Sequence, residues 1–341
     1  MKKIWKCLVI IIGTFVGAGF ASGQEMLSFF NRFPEAGIGG VLLAMFLFGL
    51  VIMMTLQISH KDNIQEYAQL IHHNRFFILV VKVFTFICFC IMIAAIGAYI
   101  EEQFGLSFWL GTLTISFLCF ITFLLKYTGL EKINIVLVPI ILIGIILVSI
   151  GAMNGKIVFS SVEQQMNSHY PFLNNWVQAA FLYVGYNTIL LIPILLELKR
   201  YCLKKSEILL LTIGVVGIIG VIGVCIWNTM SIYLFSIGNA EMPMLMIAKN
   251  INLFIYGYYS AAILFAIFTT AFSCGYAFLK MGKEKNYFSN CIAICLLGVL
   301  FSRIGFSNLV NICFPLFGYF GIAQWGYIIW LHQRKHKNGK G

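Results

Sequence analysis

Stretches of about twenty mostly apolar residues recur along the whole chain, and few charged residues interrupt them. Such a stretch has the length that an α-helix needs to cross the ~30 Å hydrocarbon core of a bilayer. The composition agrees, because 60% of the residues are hydrophobic and 10% are charged, whereas soluble domains average roughly 25% charged residues. These features predict an all-α, multi-pass integral membrane protein in contact with membrane lipids.

Ten apolar segments are long enough to be predicted as transmembrane helices. They are Ile4–Asn31, Gly37–Ser59, Phe76–Tyr99, Ser107–Leu125, Ile133–Ala152, Trp176–Leu198, Ile208–Phe235, Leu253–Leu279, Tyr287–Ser302 and Phe306–Leu331.

The basic residues lie mainly in the connections between these spans and at the two ends of the chain. One side of the predicted membrane holds eighteen of the 23 lysines and arginines, the other side holds four, and Lys82 lies within a span. The positive-inside rule places the basic side in the cytoplasm and predicts that both termini are cytoplasmic. This asymmetry accounts for the net charge of +11, so no nucleic-acid partner is predicted. Lys2 and Lys3 precede an apolar run that continues past any plausible cleavage site, which disfavours a cleaved signal peptide.

The first predicted span contains the glycine-rich stretch Val16-Gly17-Ala18-Gly19-Phe20-Ala21-Ser22-Gly23. Glycine costs about 1 kcal/mol relative to alanine inside a helix. A break in a transmembrane helix is tolerated only where it is buried in protein or lines a cavity. The stretch therefore predicts a broken helix beside a substrate or ion site.

The second half of the chain is predicted to repeat the first half in inverted orientation, because five spans per half reverse the direction of insertion. The sixth span has its own predicted break at Val184–Thr188, where Asn187 and Thr188 compete for backbone hydrogen bonds and Pro193 follows. The predicted units are a first repeat (1–152), an outer loop (153–175), an inverted repeat (176–331) and a basic cytoplasmic tail (332–341).

These ten spans, the two breaks and the run from Gly13 to Glu25 resemble the YkvI family of bacterial membrane proteins. That family is similar in turn to secondary transporters of the LeuT fold, of the amino acid–polyamine–organocation type. The resemblance implies a location in the bacterial cytoplasmic membrane and alternating access around a site between spans one, three, six and eight. It implies no particular substrate.

The free backbone groups at each break predict how a substrate would be held. Amide groups beyond the first break carry partial positive charge and suit an anionic group, whereas free carbonyls at the second break suit an amine. The alternative is that the glycines only allow helices to pack closely. The predicted substrate-binding residues are Gly17, Ala18, Gly19, Phe20, Ala21, Tyr183, Val184, Gly185, Tyr186 and Asn187. Tyr99 in the third span is predicted to reach the same pocket.

A cation site is implied by the resemblance to sodium-coupled members of the LeuT-like fold. In those proteins, a carbonyl and two hydroxyls of the eighth span join first-span carbonyls around Na⁺. The matching residues here are Ala266, Thr269 and Thr270 with the carbonyls of Gly13 and Val16, and Na⁺ is then the coupling ion. The alternatives are that the threonines bond to carbonyls one turn earlier, or that coupling uses protons or no ion.

Glu25 is the only carboxylate within the first span. Eight residues beyond Gly17, a straight helix would place it ~12 Å above the break, near the outer edge of the hydrocarbon core. This predicts an outer gate or a solvated interfacial carboxylate.

The function predicted from these features is secondary transport of a small zwitterion or amine. The alternative is a ligand-sensing or complex-forming subunit on the same fold, similar to spore-germination receptor proteins. An enzyme is disfavoured, because no nucleophile–base set, paired carboxylates or cofactor motif lies at membrane depth.

Overall fold

The computed structural model describes residues 2–62, 64, 66–125, 130–154, 172–201, 204–237, 240–282 and 286–338. Within these ranges the protein is helical and contains no β-strand. Most of the predicted loop 153–175 lies outside the described residues.

The fifteen α-helices of the described ranges differ widely in length, from three residues to thirty-three. They are α1 (Lys2–Phe15), α2 (Ala18–Ala21), α3 (Gln24–Met26), α4 (Gly37–Lys61), α5 (Tyr67–Leu70), α6 (Arg75–Phe104), α7 (Phe108–Leu124), α8 (Leu130–Asn154), α9 (Trp176–Glu197), α10 (Lys205–Ile232), α11 (Leu234–Ile237), α12 (Pro243–Ile251), α13 (Leu253–Lys280), α14 (Tyr287–Ser302) and α15 (Phe306–Asn338). A π-helical turn, Leu27–Asn31, follows α3, and a 3₁₀ turn, Leu198–Tyr201, follows α9.

Seven helices of the described part of the chain are long and apolar enough to cross a membrane: α4, α6, α8, α9, α10, α13 and α15. Two shorter apolar helices, α7 and α14, have seventeen and sixteen residues. The predicted first span is divided among α1, α2, α3 and the π-helical turn. The all-helical, multi-pass membrane architecture predicted from the sequence is confirmed.

In three pairs of contacting helices, the two members are separated by five predicted spans. Helix α4 contacts α10, α6 contacts α13, and α7 contacts α14. Two further contacts correspond to each other: α1 contacts α8, which are spans one and five, and α9 contacts α15, which are spans six and ten. This pattern of contacts places the broken first span beside α8, α9, α10 and α13.

The predicted break in the sixth span is wrong, because α9 continues as one helix through Val184–Thr188 and past Pro193. The side-chain amide of Asn187 donates to the Tyr183 carbonyl at 2.9 Å, and the Thr188 hydroxyl donates to the Gly185 carbonyl at 2.6 Å. Both side chains therefore bond back to the helix they were expected to interrupt.

Gly185 has a packing role instead. A Cβ atom built on Gly185 would lie 2.2 Å from the carbonyl oxygen of Gly318 in α15, and one built on Gly321 would lie 1.8 Å from the carbonyl oxygen of Gly185. The two helix backbones approach so closely that only glycine fits at these positions. For Gly185, the close-packing alternative left open by the sequence is the correct one.

Candidate functional site

The break in the first span is confirmed, and it has two parts. Helix α1 ends at Phe15, and Gly17 adopts an extended backbone with φ −84° and ψ 179° before the single turn of α2. Gly23 then turns the chain again with φ +84°, in the left-handed region that favours glycine. The chain therefore changes direction at Gly17 and at Gly23.

Two neighbouring helices hold the segment between these turns. The Tyr259 hydroxyl of α13 donates to the carbonyl of Ala21, and the backbone N–H of Met244 in α12 donates to the Ser22 carbonyl at 3.0 Å. A Cβ on Gly23 would lie 2.8 Å from Cγ of Met244. Helix α12 thus covers the break, and α13 satisfies a carbonyl that the break would otherwise leave without a partner.

Glu25 lies in the interior of the protein. Its relative exposure is 6%, and its Oε2 atom accepts hydrogen bonds from the hydroxyls of Tyr186 at 2.6 Å and Tyr183 at 3.3 Å. Its Oε1 atom lies 2.5 Å from the position that a Cβ on Gly19 would occupy. The carboxylate is therefore folded back toward the break and contacts the middle of α9.

This location corrects the solvation expected for Glu25 and the straight-helix path assumed for its distance from the break. The expected rise of ~12 Å assumes one straight helix, but the left-handed turn at Gly23 lies between Gly17 and Glu25 and redirects the chain. A solvated interfacial carboxylate is excluded by its burial. The role of an outer gate stays a prediction.

The hydrogen bonds to Glu25 offset only part of the cost of burying an ionised carboxylate. That cost is several kcal/mol in a protein interior, whereas a hydrogen bond to a charged group contributes about 1.5–3 kcal/mol, and one of the two here is long. Within the described part of the chain, the side chains that hydrogen-bond to the Glu25 carboxyl are those of two tyrosines, and none of the ion pairs involves Glu25. An ionisable side chain buried in this way within a membrane is by default a functional group.

Aromatic rings enclose the two tyrosine side chains. Tyr183 meets the rings of Phe29 and Phe30 with centroids 5.3 and 5.1 Å apart. The ring of Tyr186 stacks on Phe314 of α15, with centroids 4.4 Å apart and planes at 15°. Because both rings are fixed by packing, their hydroxyls are held in place for Glu25.

Open space remains beside Gly17. No heavy atom lies within 4 Å of the position that a Cβ on this residue would occupy, and Gly17 itself is half-buried. The other residues predicted at this break are buried: Ala18, Gly19, Phe20 and Ala21. The amide groups of the first turn of a helix have no partner inside the helix, so this side of the break keeps backbone donors close to the space.

Of the five predicted residues in the sixth span, the hydroxyls of Tyr183 and Tyr186 reach the site. The carbonyls of Tyr183, Val184 and Gly185 lie within a continuous helix, so the expected set of free carbonyls at a second break is not formed. Asn187 is half-buried and its side-chain amide bonds to Tyr183.

The residues of the predicted cation site lie on α1, on α13 and in the link between α1 and α2. Ala266 and Thr269 are buried in α13, and the Thr269 hydroxyl donates to the Ala266 carbonyl at 3.3 Å. Gly13 faces α8, where its Cβ would lie 3.2 Å from Cγ2 of Val138. Val16 is buried and Thr270 is half-buried. The back-bonding alternative therefore applies to Thr269, and the cation site stays a prediction.

A cavity of about 390 Å³ lies beside the start of α12 and carries an excess of negative charge. Its lining includes Glu101, Glu102, Glu241 and Arg303. The Glu102 carboxylate accepts the backbone N–H groups of Glu241 and Met242, at 2.6 and 3.1 Å. Glu241 in turn accepts the N–H and hydroxyl of Ser307 at 2.6 and 2.9 Å. Burial raises the pKa of the Glu241 carboxyl, and the bonds from Ser307 offset only part of this.

Two further tyrosines, on α6 and α13, form hydrogen bonds between helical segments, and Tyr259 is the one whose bond reaches the break. Tyr99, predicted to reach the pocket, bonds to Ser260 of α13 at 2.5 Å. Tyr259 was missed by the sequence analysis, although it lies seven residues before Ala266, on the same face of a helix. That spacing is the signal that could have identified Tyr259.

Comparison with known proteins gives relatives of matching length. The chain is 25% identical over 339 residues to the membrane protein YkvI of Bacillus subtilis (strain 168), a match that covers 94% of this chain and 93% of YkvI. It is 25% identical over 338 residues to the protein YyaD of the same organism, covering 92% of each chain. The resemblance stated from the sequence is thereby confirmed. No protein-family model matches the chain.

Among solved structures, the chain is similar to a Na⁺-coupled sialic acid symporter in its substrate-bound, outward-open state. The TM-score is 0.54, the sequence identity is 15%, and the match covers 88% of this chain and 72% of that chain. At this identity the likeness shows that the two proteins share a fold.

Proposed function

We propose that this protein is a secondary transporter that moves a small amine or zwitterion across the membrane, with Glu25 binding the positively charged group. The observation that carries the proposal is the burial of Glu25 at a broken helix, where two tyrosine hydroxyls and no positive side chain of the described residues act on its carboxyl. A substrate ammonium group would supply the missing charge. The fold shared with a symporter supports transport by alternating access.

The proposal includes ten membrane spans in two inverted repeats of five. Direct contacts of α4 with α10, α6 with α13 and α7 with α14 support it, because an axis relating the two repeats brings equivalent helices together. We place the basic ends of the helices and both termini in the cytoplasm, as the positive-inside rule requires. Among the described residues the first span is broken and the sixth span is continuous, so the two halves of the site are chemically different.

The substrate would lie in the space beside Gly17. Its ammonium group would face Glu25, and a carboxylate, if the substrate is a zwitterion, would face the amide groups from Ala18 to Phe20; the amide of Ala21 already donates to the Gly17 carbonyl. The acidic cavity lined by Glu101, Glu102 and Glu241 supports a cationic substrate, because a cleft with an excess of one charge concentrates ions of the opposite charge.

The test begins with a thermal-shift screen of amino acids, amines and nucleobases on the purified protein, with and without Na⁺. A compound that stabilises the protein is then measured for uptake into proteoliposomes. Glu25→Gln should lose at least tenfold in affinity for amine-containing compounds. The matched control is Glu66→Gln, which removes a negative charge from an exposed residue and should leave affinity unchanged.

The outcomes separate the functions. Saturable uptake that Glu25→Gln abolishes supports the transporter, whereas binding without uptake supports a ligand sensor on the same fold. If neutral or anionic compounds bind equally well to both proteins, Glu25 does not bind the substrate and the proposed recognition is wrong.

Sodium coupling is a separate part of the proposal. A Na⁺ ion at Ala266, Thr269 and Thr270, together with the carbonyls of Gly13 and Val16, would require the Thr269 hydroxyl to leave its present bond. Thr270→Ala should then reduce a Na⁺-dependent thermal shift and leave the folded protein intact. If Na⁺ has no effect on the stability or ligand binding of the unmodified protein, no such site exists.

A further inference from the structure

The surroundings of Glu25 are too poor in positive charge for an ionised carboxylate. Among the described residues, the hydrogen bonds to its carboxyl come from the hydroxyls of Tyr183 and Tyr186 on α9, which are neutral when they carry their protons, and none of the ion pairs involves Glu25. Helix α12 covers the break through the bond from Met244 to Ser22, and the Glu25 side chain is buried beneath it. A carboxyl group that is buried without a counter-charge takes up a proton rather than remain ionised.

The two oxygens of Glu25 have different partners. Both tyrosine hydroxyls donate to Oε2, which is the arrangement that suits the carbonyl oxygen of a carboxylic acid. Oε1 lies against Gly19, at a position where any side chain would collide with it. Oε1 is therefore the atom that can hold the proton, and the glycine at position 19 provides the room.

We propose that Glu25 is a proton-binding site and that the ligand-free protein holds one proton on its Oε1 atom. The carboxyl group is then the coupling group of the transporter, because a proton and a substrate cation compete for one carboxylate. This consequence rests on the proposed function, whereas the proton site itself does not.

The exchange balances in protons and charge. When an ammonium group approaches Glu25, the O–H bond at Oε1 breaks, the proton passes to water, and the carboxylate pairs with the ammonium ion. When the ammonium ion leaves, the carboxylate takes a proton from hydronium, and the O–H bond forms again. One proton is released for each cation bound, so transport exchanges the two ions.

The test reads the carboxyl group directly and needs no substrate. Infrared spectra of the purified protein, recorded between acid and mildly alkaline pH, contain a C=O stretching band for each protonated carboxyl group. We expect absorption by protonated carboxyl groups at neutral pH, with one component that disappears in Glu25→Gln and remains in the exposed control Glu66→Gln. Any absorption by Glu241, whose pKa is raised by burial, is common to all three proteins and cancels in the difference spectra. The proposal is overturned if no protonated carboxyl band exists at neutral pH, or if Glu25→Gln leaves the band unchanged.

Two further variants cover the case in which Glu25→Gln fails to fold. Tyr186→Phe removes the 2.6 Å hydrogen bond to Oε2 and should move the band to higher frequency. Gly19→Ala pushes the far end of a flexible side chain and should broaden or abolish the band. A band that neither variant alters belongs to another carboxyl group and contradicts the proposal. A proton site without any detectable transport would instead contradict the proposed function alone.

Discussion

Gly17 and Gly185 lie in the first and the sixth predicted spans, and they have opposite roles. Gly17 interrupts its helix and has open space where a side chain would be. Gly185 leaves its helix intact and has the backbone of α15 at that position. The comparison teaches that glycine in a membrane helix indicates either a break or a close contact, and that the neighbouring helix decides between them.

The largest expected effect is that of Gly185→Ala. The new methyl group would lie 2.2 Å from the Gly318 carbonyl oxygen, and two helix backbones would have to separate. We expect a loss of at least about 3 kcal/mol in the free energy of unfolding, measured by thermal unfolding in detergent. The control is Gly217→Ala in α10, where a Cβ meets no atom within 4 Å. If these two variants are equally stable, the contact of Gly185 with Gly318 does not require glycine, and the role given to Gly185 is wrong.

Gly23→Ala should have the next largest effect. A non-glycine residue at φ +84° costs about 1–2 kcal/mol, and the Met244 side chain must also move. Gly105→Ala is the matched control, because Gly105 has φ +65° but no atom near its Cβ position. The difference in unfolding temperature between the two variants measures the contact with α12. If Gly23→Ala is as stable as the unmodified protein, the second turn of the break is not strained.

Gly17→Ala should alter function more than stability. Its φ and ψ suit any residue, and its Cβ would enter open space, so we expect the free energy of unfolding to change by less than about 0.5 kcal/mol. A methyl group in a ligand site costs roughly 1–3 kcal/mol, so affinity for a compound found in the screen should fall about tenfold. Unchanged affinity would show that the space beside Gly17 does not hold the substrate.

The smallest effect concerns the far end of α15, where the contact is ionic. Asp62, with a side chain 7% exposed, meets His332 at 3.2 Å and Lys335 at 3.3 Å. Burial acts to raise the pKa of Asp62, but the bonds from His332 and Lys335 outweigh it and hold the pKa below its usual range.

Since folding favours ionised Asp62, its contribution to stability is complete above the ordinary pKa of aspartate and is lost as the pH falls through the lowered value. Asp62→Asn should therefore be less sensitive to acid than the unmodified protein. The expected difference is below about 1 kcal/mol, because Lys335 is more than half exposed. The glycine contact of α9 with α15 contains no titratable group and should not depend on pH. Parallel acid titrations of Asp62→Asn and Gly185→Ala would test this distinction.

The location of the first break could be predicted because its cause is local. Three glycines in eight residues lower the helical preference wherever the chain folds, and the extended Gly17 and left-handed Gly23 lie within that stretch. The prediction for the sixth span was wrong because the side chains of Asn187 and Thr188 can either interrupt the backbone bonds of a helix or bond to carbonyls one turn earlier. Here they do the latter, and the packing of Gly185 on Gly318 favours the continuous helix. Glu25 was misplaced because its distance from the break was counted along a straight axis.

The sequence by itself determined the membrane class of this protein, its helical segments and the position of one broken helix. Hydrophobic length and glycine content act within a segment, so they can be read without knowing its neighbours. Only the tertiary structure decided that α9 is continuous, and only it brought Glu25 to Tyr183 and Tyr186, which lie 158 and 161 positions away in the chain. Contacts of this kind depend on how helices approach one another, and apolar periodicity does not encode which polar side chains will meet.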